Sequence, residues 1–478
     1  MNFFVPWEHN YSSKGTTAPR PQDNGLCYHH LLYYLLIVLY WPYRNDHLFE
    51  QQHGCEPPPE LPTTWPFGLD RIKELWTSNT EGRLLAFLCS VAEHYEPGNS
   101  LSQYLLLGPR AFHVPRPQNV EVILSTKFED YGFGARREIF APLLGNGILT
   151  QEGPAWKHSR DLSGRQFSQI KSRSLEHFHE HVDNLIARLS LNVAIDLQPL
   201  PFDLTLDITT ALLFGKSVAI SLAVQSVKVS KSLLKIYSST EPNHEAYSFI
   251  KQIFQNSFSK TDIRDQLLNL LLAGRDTTTW CLSWMIRLLV RHGHVMCRLR
   301  DEISSITGRS GYPTRDQMRR MAYLDCVIKE TLRLYPPVPL NNREAKETTI
   351  LPNGGGETAS SPILVRKEEP VVFSQYVNSR KKNIYGPDAD IFRPERWETG
   401  ELDLIGWACF PFNGGPRQCL GKDSALTQVK YTAVRLLQTF PSIRLPAGEL
   451  VEPVGCERQC LTLVLSCADG GRVEIRSS

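Results

Sequence analysis

One cysteine in the C-terminal part of the chain stands in a setting suited to binding a metal. Glycines and a proline surround Cys419 in the segment 412–421, which reads FNGGPRQCLG. Such residues make a tight turn whose amide N–H groups can point inward. Residues 422–440 read as a helix, so Cys419 is predicted at a helix N-terminus, where the dipole and unpaired N–H groups favour a thiolate. A thiolate is a soft metal ligand, suited to haem iron in particular.

The residues around this cysteine follow a longer pattern. A packed cysteine in a turn is the ordinary interpretation for the other ten of the 11 cysteines. The full pattern F-x-x-G-x-R-x-C-x-G is matched at Phe412, Gly415, Arg417, Cys419 and Gly421. It resembles the haem-thiolate loop of the cytochrome P450 family. The resemblance implies haem b as cofactor, Cys419 as the iron ligand, and Phe412 and Arg417 as residues that bind the cofactor.

Composition excludes several other classes of protein. The chain has 478 residues with 52 basic and 50 acidic side chains, and this balance gives no argument for nucleic acid. Its cysteines are irregularly spaced, which argues against a disulfide framework and for a reducing environment. No paired Cys/His spacing supports a structural zinc site.

The N-terminal segment 1–56 is expected to be a disordered tail with a short hydrophobic anchor, followed by one catalytic domain over 57–478. Residues 31–41 form an uncharged run, which as a helix would be roughly 16 Å long against about 30 Å of bilayer hydrocarbon. A short core or interfacial helix and a membrane anchor both remain open. With the proline-rich 57–66, the run resembles the anchor and hinge of microsomal family members. The resemblance implies the endoplasmic reticulum membrane, with the catalytic domain facing the cytosol.

A tryptophan and an arginine lie one helical turn apart in the first third of the chain. Trp156 and Arg160 are i,i+4 partners and share a helix face. On its own, such a pair is most often a packed tryptophan beside a solvated arginine. The resemblance implies that both donate hydrogen bonds to a haem propionate.

A long apolar helix is predicted to begin near Asp262, with Thr261 or Asp262 as its cap. Within it, residues 273–278 read AGRDTT. Glycine and consecutive threonines weaken a helix, which predicts a local kink with a polar groove. The stretch resembles the oxygen-binding groove of the family. This implies that Thr277 hydrogen-bonds the bound oxygen and that Asp276 relays protons through water.

An acidic and a basic residue are spaced i,i+3 on another predicted helix. Exposed, Glu330 and Arg333 would contribute only a few tenths of a kcal/mol. In the family the corresponding pair is buried and joins an arginine of a downstream meander. The segment 392–397, FRPERW, resembles that meander and implies Arg396 as the third member. The three residues are expected to be a scaffold for the cysteine loop.

Other basic residues are implied as cofactor ligands. Arg343 suits a strand from which it would reach the second propionate, and Arg417 could do the same from the cysteine loop. A histidine usual in the family is replaced by Ser379, which leaves one propionate or structural hydrogen bond in question.

The fold class implied is mainly α with small β-sheets, the cytochrome P450 fold with a shortened lid. About 45 residues separate Gly215 from Asp262. The family places two long helices and a loop here as a lid, and at 1.5 Å per residue this interval cannot supply both at full length. Either the lid is much reduced, or the chain comes from a defective or mis-assembled reading frame.

The substrate is suggested by three further motifs. Residues 140–148, 264–269 and 384–389 look closest to fungal members that hydroxylate n-alkanes and fatty acids. The first hypothesis is therefore an active monooxygenase that uses O2 and electrons from an NADPH-dependent reductase on a hydrophobic substrate, at a membrane surface. A basic surface is predicted to meet an acidic partner and includes Lys157, His158 and Lys422. The second hypothesis is a haem-binding but catalytically silent relative, or a product that never folds stably.

Overall fold

The computed structural model describes residues 46–94, 100–104, 106, 108–171, 175–189, 191–214, 217 and 259–476. The anchor run 31–41 and almost all of the lid interval lie outside these residues, so the interpretations placed on them stay predictions. The chain divides into two compact units, Met1–Gly54 and Cys55–Ser478. In the first unit, residues 46–53 form a helix, α1. Across the described ranges, no helix has both the length and the apolar character needed to span a membrane.

Helices dominate the second unit. Those of the described part are α2 (Leu69–Thr80), α3 (Leu84–His94), α4 (Pro117–Glu121), α5 (Arg136–Leu144), α6 (Gly153–Lys171), α7 (Glu176–Ala187), α8 (Pro199–Phe214), α9 (Lys260–Arg291), α10 (Gly293–Thr307), α11 (Arg315–Arg320), α12 (Ala322–Leu334), α13 (Gln375–Asn378), α14 (Lys382–Tyr385) and α15 (Lys422–Thr439). The predicted helix after the cysteine loop is therefore confirmed as α15.

The strands are short and form four small sheets in the described residues. They are β1 (Leu101–Gln103), β2 (Ala111–His113), β3 (Tyr131–Gly132), β4 (Ala194–Asp196), β5 (Leu340–Ala345), β6 (Thr349–Gly355), β7 (Ser361–Val365), β8 (Pro370–Ser374), β9 (Ser442–Arg444), β10 (Gln459–Leu461), β11 (Leu465–Cys467) and β12 (Arg472–Arg476). The sheet orders are β1-β2-β8-β5-β3, β4-β12-β9, β6-β7 and β10-β11. The fold is thus mainly α with small sheets, as predicted.

The central helix α9 differs from its prediction at two points. Its N-cap is Ser259, whose hydroxyl accepts from the Asp262 N–H at 3.1 Å while the Asp262 carboxylate accepts from the Ser259 N–H at 3.2 Å. The predicted caps, Thr261 and Asp262, are therefore wrong, because a capping box places its acidic member three residues inside the helix. The helix also continues without interruption through 273–278, where a kink was predicted.

Packing against α8 explains why α9 stays regular there. A Cβ added to Gly274 would lie 3.0 Å from the hydroxyl of Thr209, so the glycine allows the two helices to approach. One turn further on, the hydroxyls of Thr205 and Thr279 are hydrogen-bonded at 2.8 Å. The weak helix formers therefore serve a close helix–helix contact, and tertiary packing overrides their low propensity.

The first half of α9 holds the loop 145–151. Three amide groups of this loop donate to side chains of α9, to Asp265 at 2.7 Å, Gln266 at 3.1 Å and Asn269 at 2.9 Å. The Asn269 amide in turn donates to the carbonyl of Leu144 at 2.9 Å. Two motifs that the sequence shows separately, 140–148 and 264–269, are therefore one hydrogen-bonded contact.

This contact predicts a large effect of Asn269→Ala. The substitution leaves the Leu149 N–H and the buried Leu144 carbonyl without their partner, so the free energy of unfolding should fall by about 2–4 kcal/mol. Urea denaturation followed by circular dichroism measures the change. Lys260→Ala, an exposed position on the same helix, is the matched control and should be near neutral. A loss below about 0.5 kcal/mol for Asn269→Ala would show that the contact is not stabilising.

Candidate functional site

The cysteine loop is held in one conformation by a backbone hydrogen bond and a crowded glycine. The N–H of Cys419 donates to the carbonyl of Phe412 at 2.9 Å. Gly415 has φ +60°, and a Cβ there would lie 1.9 Å from the carbonyl oxygen of Leu124. Both the backbone conformation and the lack of space therefore require glycine at this point of the pattern.

The sulfur of Cys419 receives the N–H groups that its position predicts. Backbone amides of Gly421 and Lys422, at the start of α15, donate to it, and the charge of Arg160 also favours the thiolate. Burial is nevertheless the largest influence, and it raises the pKa of this thiol above its ordinary value. The residue as a whole is exposed, although protein atoms crowd its sulfur. The two amide donors and Arg160 thus offset the effect of burial only in part, and a bound metal cation would favour the thiolate further.

Helix α6 places the predicted tryptophan and arginine beside this loop. Trp156 is buried, and the guanidinium of Arg417 lies 4.3 Å from its ring centre. Arg160 donates to the carbonyl of Gln418 at 2.8 Å. The pair that the sequence shows one turn apart therefore contacts the cysteine loop through two different residues.

Three arginines surround the ring of one phenylalanine. The guanidinium carbons of Arg417, Arg136 and Arg343 lie 4.2, 4.9 and 5.1 Å from the ring centre of Phe133. Arg136 and Arg343 also share an acceptor, the side-chain oxygen of Asn341, at 2.7 and 3.1 Å. Sequence reasoning missed Arg136, because neither its spacing nor its neighbours link it to the cysteine loop.

The charges of this arginine cluster (Arg136, Arg343 and Arg417) are not balanced by nearby carboxylates. Burial lowers the pKa of Arg343 to about 9, with the charges of the other two arginines acting in the same direction. Burial likewise lowers the pKa of Arg417 to about 10. Glu152 opposes both shifts, and Glu129 also opposes the shift of Arg417. Three arginines against two carboxylates leave an excess of positive charge that suits an anion such as a haem propionate.

Asp276 and Thr277 lie on α9 and are both partly exposed. Asp276 pairs with the neighbouring Arg275. The Thr277 hydroxyl donates to the carbonyl of Ala273 at 2.9 Å, the bond to the preceding turn expected of a helical threonine. In the described part of the chain, the hydrogen bonds of both side chains thus stay within α9.

The structure brings Glu330, Arg333 and Arg396 together in the interior. The carboxylate of Glu330 accepts from Arg333 at 2.7 and 2.8 Å and from Arg396 at 2.9 Å. The indole N–H of Trp397 and the backbone N–H of Arg393 complete its shell, at 2.9 and 3.0 Å. Burial by itself raises the pKa of Glu330, but the hydrogen bonds and charges of the arginines outweigh it and lower the pKa below its ordinary value.

Ser379 connects this carboxylate network to the cysteine loop. Its backbone carbonyl accepts from Arg333 at 2.6 Å, and its hydroxyl accepts from the Gln375 amide at 2.5 Å. The same Gln375 side chain accepts the backbone N–H of Phe410 at 2.7 Å, just before the loop. The serine at the position of the family histidine thus makes a buried structural hydrogen bond.

The chain is similar to known proteins over most of its length. The general sequence pattern of the family Cytochrome P450 matches residues 223–453. A protein described as Cytochrome P450 from Arthroderma benhamiae is 39% identical over 504 residues, which cover 93% of this chain and 97% of the relative. Cytochrome P450 52A5 of Candida maltosa is 33% identical over 487 residues, with 88% and 91% coverage. Cytochrome P450 52E1 of Candida apicola is 32% identical over 506 residues, with 93% and 96% coverage.

These alignments are longer than the part of this chain that they use. The first runs over 504 positions, whereas 93% of 478 residues is about 445, so about 60 positions of that relative have no counterpart here. The Candida maltosa alignment gives a similar shortfall, because its 487 positions use about 421 residues of this chain. Both relatives are therefore longer than this chain within the aligned region.

The buried carboxylate predicts a large loss of stability in Glu330→Gln. The amide leaves the buried guanidinium of Arg333 without a counter-charge and that of Arg396 with Asp388 alone, so the free energy of unfolding should fall by about 3–5 kcal/mol or the chain should not fold. Denaturation by urea at pH 7 measures this change. Glu398→Gln, which weakens the exposed ion pair with Arg298, is the matched control and should cost below about 1 kcal/mol.

The same carboxylate predicts a dependence of stability on pH. Because the pKa of Glu330 is lowered on folding, its contribution is present above the ordinary value of 4.5 and is lost as pH falls through the lower folded value. The free energy of unfolding of the native chain should therefore decrease as the pH is lowered below 4.5. The decrease should be steeper than in Glu330→Gln under conditions where that variant folds. Equal slopes in the two proteins would contradict the assignment of this pH dependence to Glu330.

Proposed function

The chain belongs to the cytochrome P450 family, and from that membership we propose that it hydroxylates a hydrophobic, long-chain aliphatic substrate, an alkane or a fatty acid. Enzymes of this family are monooxygenases that incorporate molecular oxygen, and they use haem b with a cysteine thiolate as axial ligand of the iron. They take electrons from a redox partner and act on hydrophobic substrates. We further propose which residues of this chain hold the cofactor, which substrate it takes and which partner reduces it.

Cys419 is the proposed iron ligand, and its setting is the observation that carries the proposal. The sulfur lies at the start of α15 in a loop fixed by Gly415, and it already accepts two backbone N–H groups. These donors would tune the electron density that the thiolate gives to the iron. Phe412, whose carbonyl holds the Cys419 N–H, is proposed to pack against the cofactor. Haem supplies the oxygen chemistry when bound, and the protein must hold it and deliver protons.

The arginine cluster and α6 are proposed to hold the two propionates. Arg343 and Arg417 carry buried charges whose pKa values are lowered, and an anion beside them would relieve that cost. Trp156 would donate its indole N–H and Arg160 its guanidinium, next to Arg417. Arg136 joins this set because it shares the acceptor and the aromatic ring of Arg343.

Asp276 and Thr277 are proposed to deliver protons. Proton delivery needs a group that exchanges with solvent, and both side chains are partly exposed. The Thr277 hydroxyl donates its hydrogen to the Ala273 carbonyl. The hydroxyl oxygen can therefore still accept a hydrogen bond from a water molecule that delivers protons. Asp276 would have to leave Arg275 in order to pass a proton on. Glu330, Arg333 and Arg396 have no such access and are proposed as scaffold.

The electron donor is proposed to be an NADPH-dependent reductase. The reductase would use an acidic surface to bind basic residues of this chain. Lys157 and His158 are exposed on α6, and Lys422 starts α15 beside Cys419. Such charges would steer and orient an acidic partner. The uncharged run 31–41 and the proline-rich 57–66 support attachment to the endoplasmic reticulum membrane, with the catalytic domain facing the cytosol.

The proposed substrate class rests on motifs of the sequence. The segments 140–148 and 264–269, which look like those of fungal alkane and fatty-acid hydroxylases, form one contact in the fold. Membership of a family of monooxygenases favours the active enzyme over the alternative of a catalytically silent relative. The two alternatives share the haem site and differ in turnover, so spectroscopy and activity must be measured separately.

Cys419→Ala tests the ligand. The dithionite-reduced native chain should give a strongly red-shifted carbon-monoxide difference band, and the variant should lose it because, among the residues that the structure describes, no other side chain is placed to replace the thiolate. Cys409→Ala, at a partly buried cysteine, is the control and should keep the band. A normal thiolate band in Cys419→Ala would overturn the assignment. A normal band in the native chain without turnover of fatty acids or alkanes would favour the silent relative.

Thr277→Ala tests proton delivery. The variant should keep the carbon-monoxide band but release hydrogen peroxide in place of product, because the hydroxyl that guides protons is gone. The measurement compares NADPH consumed, peroxide formed and product formed in the presence of a reductase. Thr277→Ser retains the hydroxyl and should restore most of the coupling. Unchanged coupling in Thr277→Ala would show that protons arrive by another route.

A further inference from the structure

A buried chain of hydrogen bonds runs from helix α9 to the cysteine loop. The side-chain amide of Gln266 on α9 donates to the hydroxyl of Ser159 on α6 at 2.6 Å. This hydroxyl donates to the side-chain oxygen of Gln151 at 2.6 Å. The backbone carbonyl of Gln151 accepts from the guanidinium of Arg417 at 2.8 Å. The proposed function gives Ser159 and Gln151 no role.

The three side chains of this network (Ser159, Gln151 and Gln266) are buried, and each one both donates and accepts. Ser159 and Gln266 are 3% exposed and Gln151 is 7% exposed. The Gln266 oxygen accepts the N–H of Ile148 at 3.1 Å, and the Gln151 amide donates to the carbonyl of Asn146 at 3.0 Å. Rotation of any of the three would leave a buried dipole unpaired, so the network holds one arrangement.

Gln151 is the residue that directs the guanidinium of Arg417. The other close neighbours of this guanidinium are aromatic, with the ring centres of Trp156 and Phe133 at 4.3 and 4.2 Å. Ring contacts restrict where a guanidinium lies, whereas a hydrogen bond also fixes the direction of an N–H group. Among the described residues, the Gln151 carbonyl is the hydrogen-bond acceptor of Arg417, which leaves the other N–H groups available to an anion.

We propose that Ser159 is a positioning residue, which holds Gln151 and thereby directs Arg417 toward a haem propionate. The inference rests on the proposed propionate site. A guanidinium that is already oriented loses less freedom when an anion binds, so the network should slow the loss of haem. A cation held beside a propionate also stabilises the more negative, reduced form of the cofactor, so the network should raise its reduction potential.

Ser159→Ala in the full-length holoenzyme tests this role. Haem should be lost to excess apomyoglobin at least tenfold faster, and the reduction potential should become more negative, because the oriented hydrogen bond of a charged group is weakened. Ser159→Thr keeps the hydroxyl and should restore most of both quantities. Ser163→Ala, at a second buried serine of α6, is the matched control and should change the rate less than twofold. A less stable Ser159→Ala with native haem loss and native potential would overturn the proposal.

An Arg417→Gln background shows whether Ser159 acts through this arginine. Ser159→Ala should change the rate of haem loss less than twofold there, because the guanidinium that the network directs is absent. An undiminished tenfold effect would refute an action through Arg417. Gln266→Met removes the donor to Ser159 from the α9 end, and it should speed haem loss in the native background and not in Arg417→Gln. This second variant decides the question if Ser159→Ala does not fold.

The carbon-monoxide difference band separates this inference from the proposed function. The native protein and Ser159→Ala should both give the red-shifted band, since both keep Cys419. A native band together with unchanged haem loss in Ser159→Ala would refute the positioning role and leave the ligand assignment standing. Absence of the red-shifted band from the native protein would refute the proposed function, and this inference with it.

Discussion

The buried carboxylate of Glu330 is the interaction on which the cysteine loop depends. A carboxylate with no exposed surface is tolerable only when charges and hydrogen bonds replace its hydration, and Glu330 receives both from two arginines, an indole and a backbone amide. These donors lie in α12 and in the segment 393–397. The Glu330 carboxylate therefore holds this irregular segment against helix α12. Through Arg333, Ser379 and Gln375 the same network reaches Phe410, where the chain enters the loop. The network therefore fixes the chain at Phe410, where it enters the cysteine loop.

The other side of the site has the opposite property, because its charges are not balanced within the described protein. Arg136, Arg343 and Arg417 crowd one aromatic ring, and burial lowers the pKa of each. Such a cluster destabilises the chain alone and is relieved by an anion. A cofactor with two carboxylates would thus add to folding stability by binding the native state only. The site combines a scaffold that is complete by itself with a cationic pocket that is completed by its ligand.

The sequence predicted those parts of the site that are encoded within one segment. The cysteine pattern, helix α15 and the i,i+3 pair Glu330 and Arg333 all depend on near neighbours, and the structure contains each of them. Arg136 could not be predicted, because only the folded chain brings it to Phe133 and Asn341. The raised pKa of Cys419 was missed for the same reason, since burial is a property of the tertiary structure. The cap of α9 was misplaced by two or three residues because Ser, Thr and Asp all occur there, and local preference alone does not choose among them.

The shortened interval predicted before α9 has different consequences for cofactor binding and for substrate oxidation, the two parts of the proposed activity. Helix α9 is fixed by contacts that join described residues on either side of 218–258, namely Thr205 with Thr279, Thr209 against Gly274, and the loop 145–151 with Asn269. The Glu330 network and the arginine cluster likewise join described residues outside this interval. The contacts that support the proposed haem site therefore lie outside the interval 218–258. The resemblance to the family implies that this interval carries the cover of the substrate pocket, which excludes water and holds the substrate near the reacting centre. A chain with a reduced cover should consequently lose substrate specificity and coupling before it loses the cofactor.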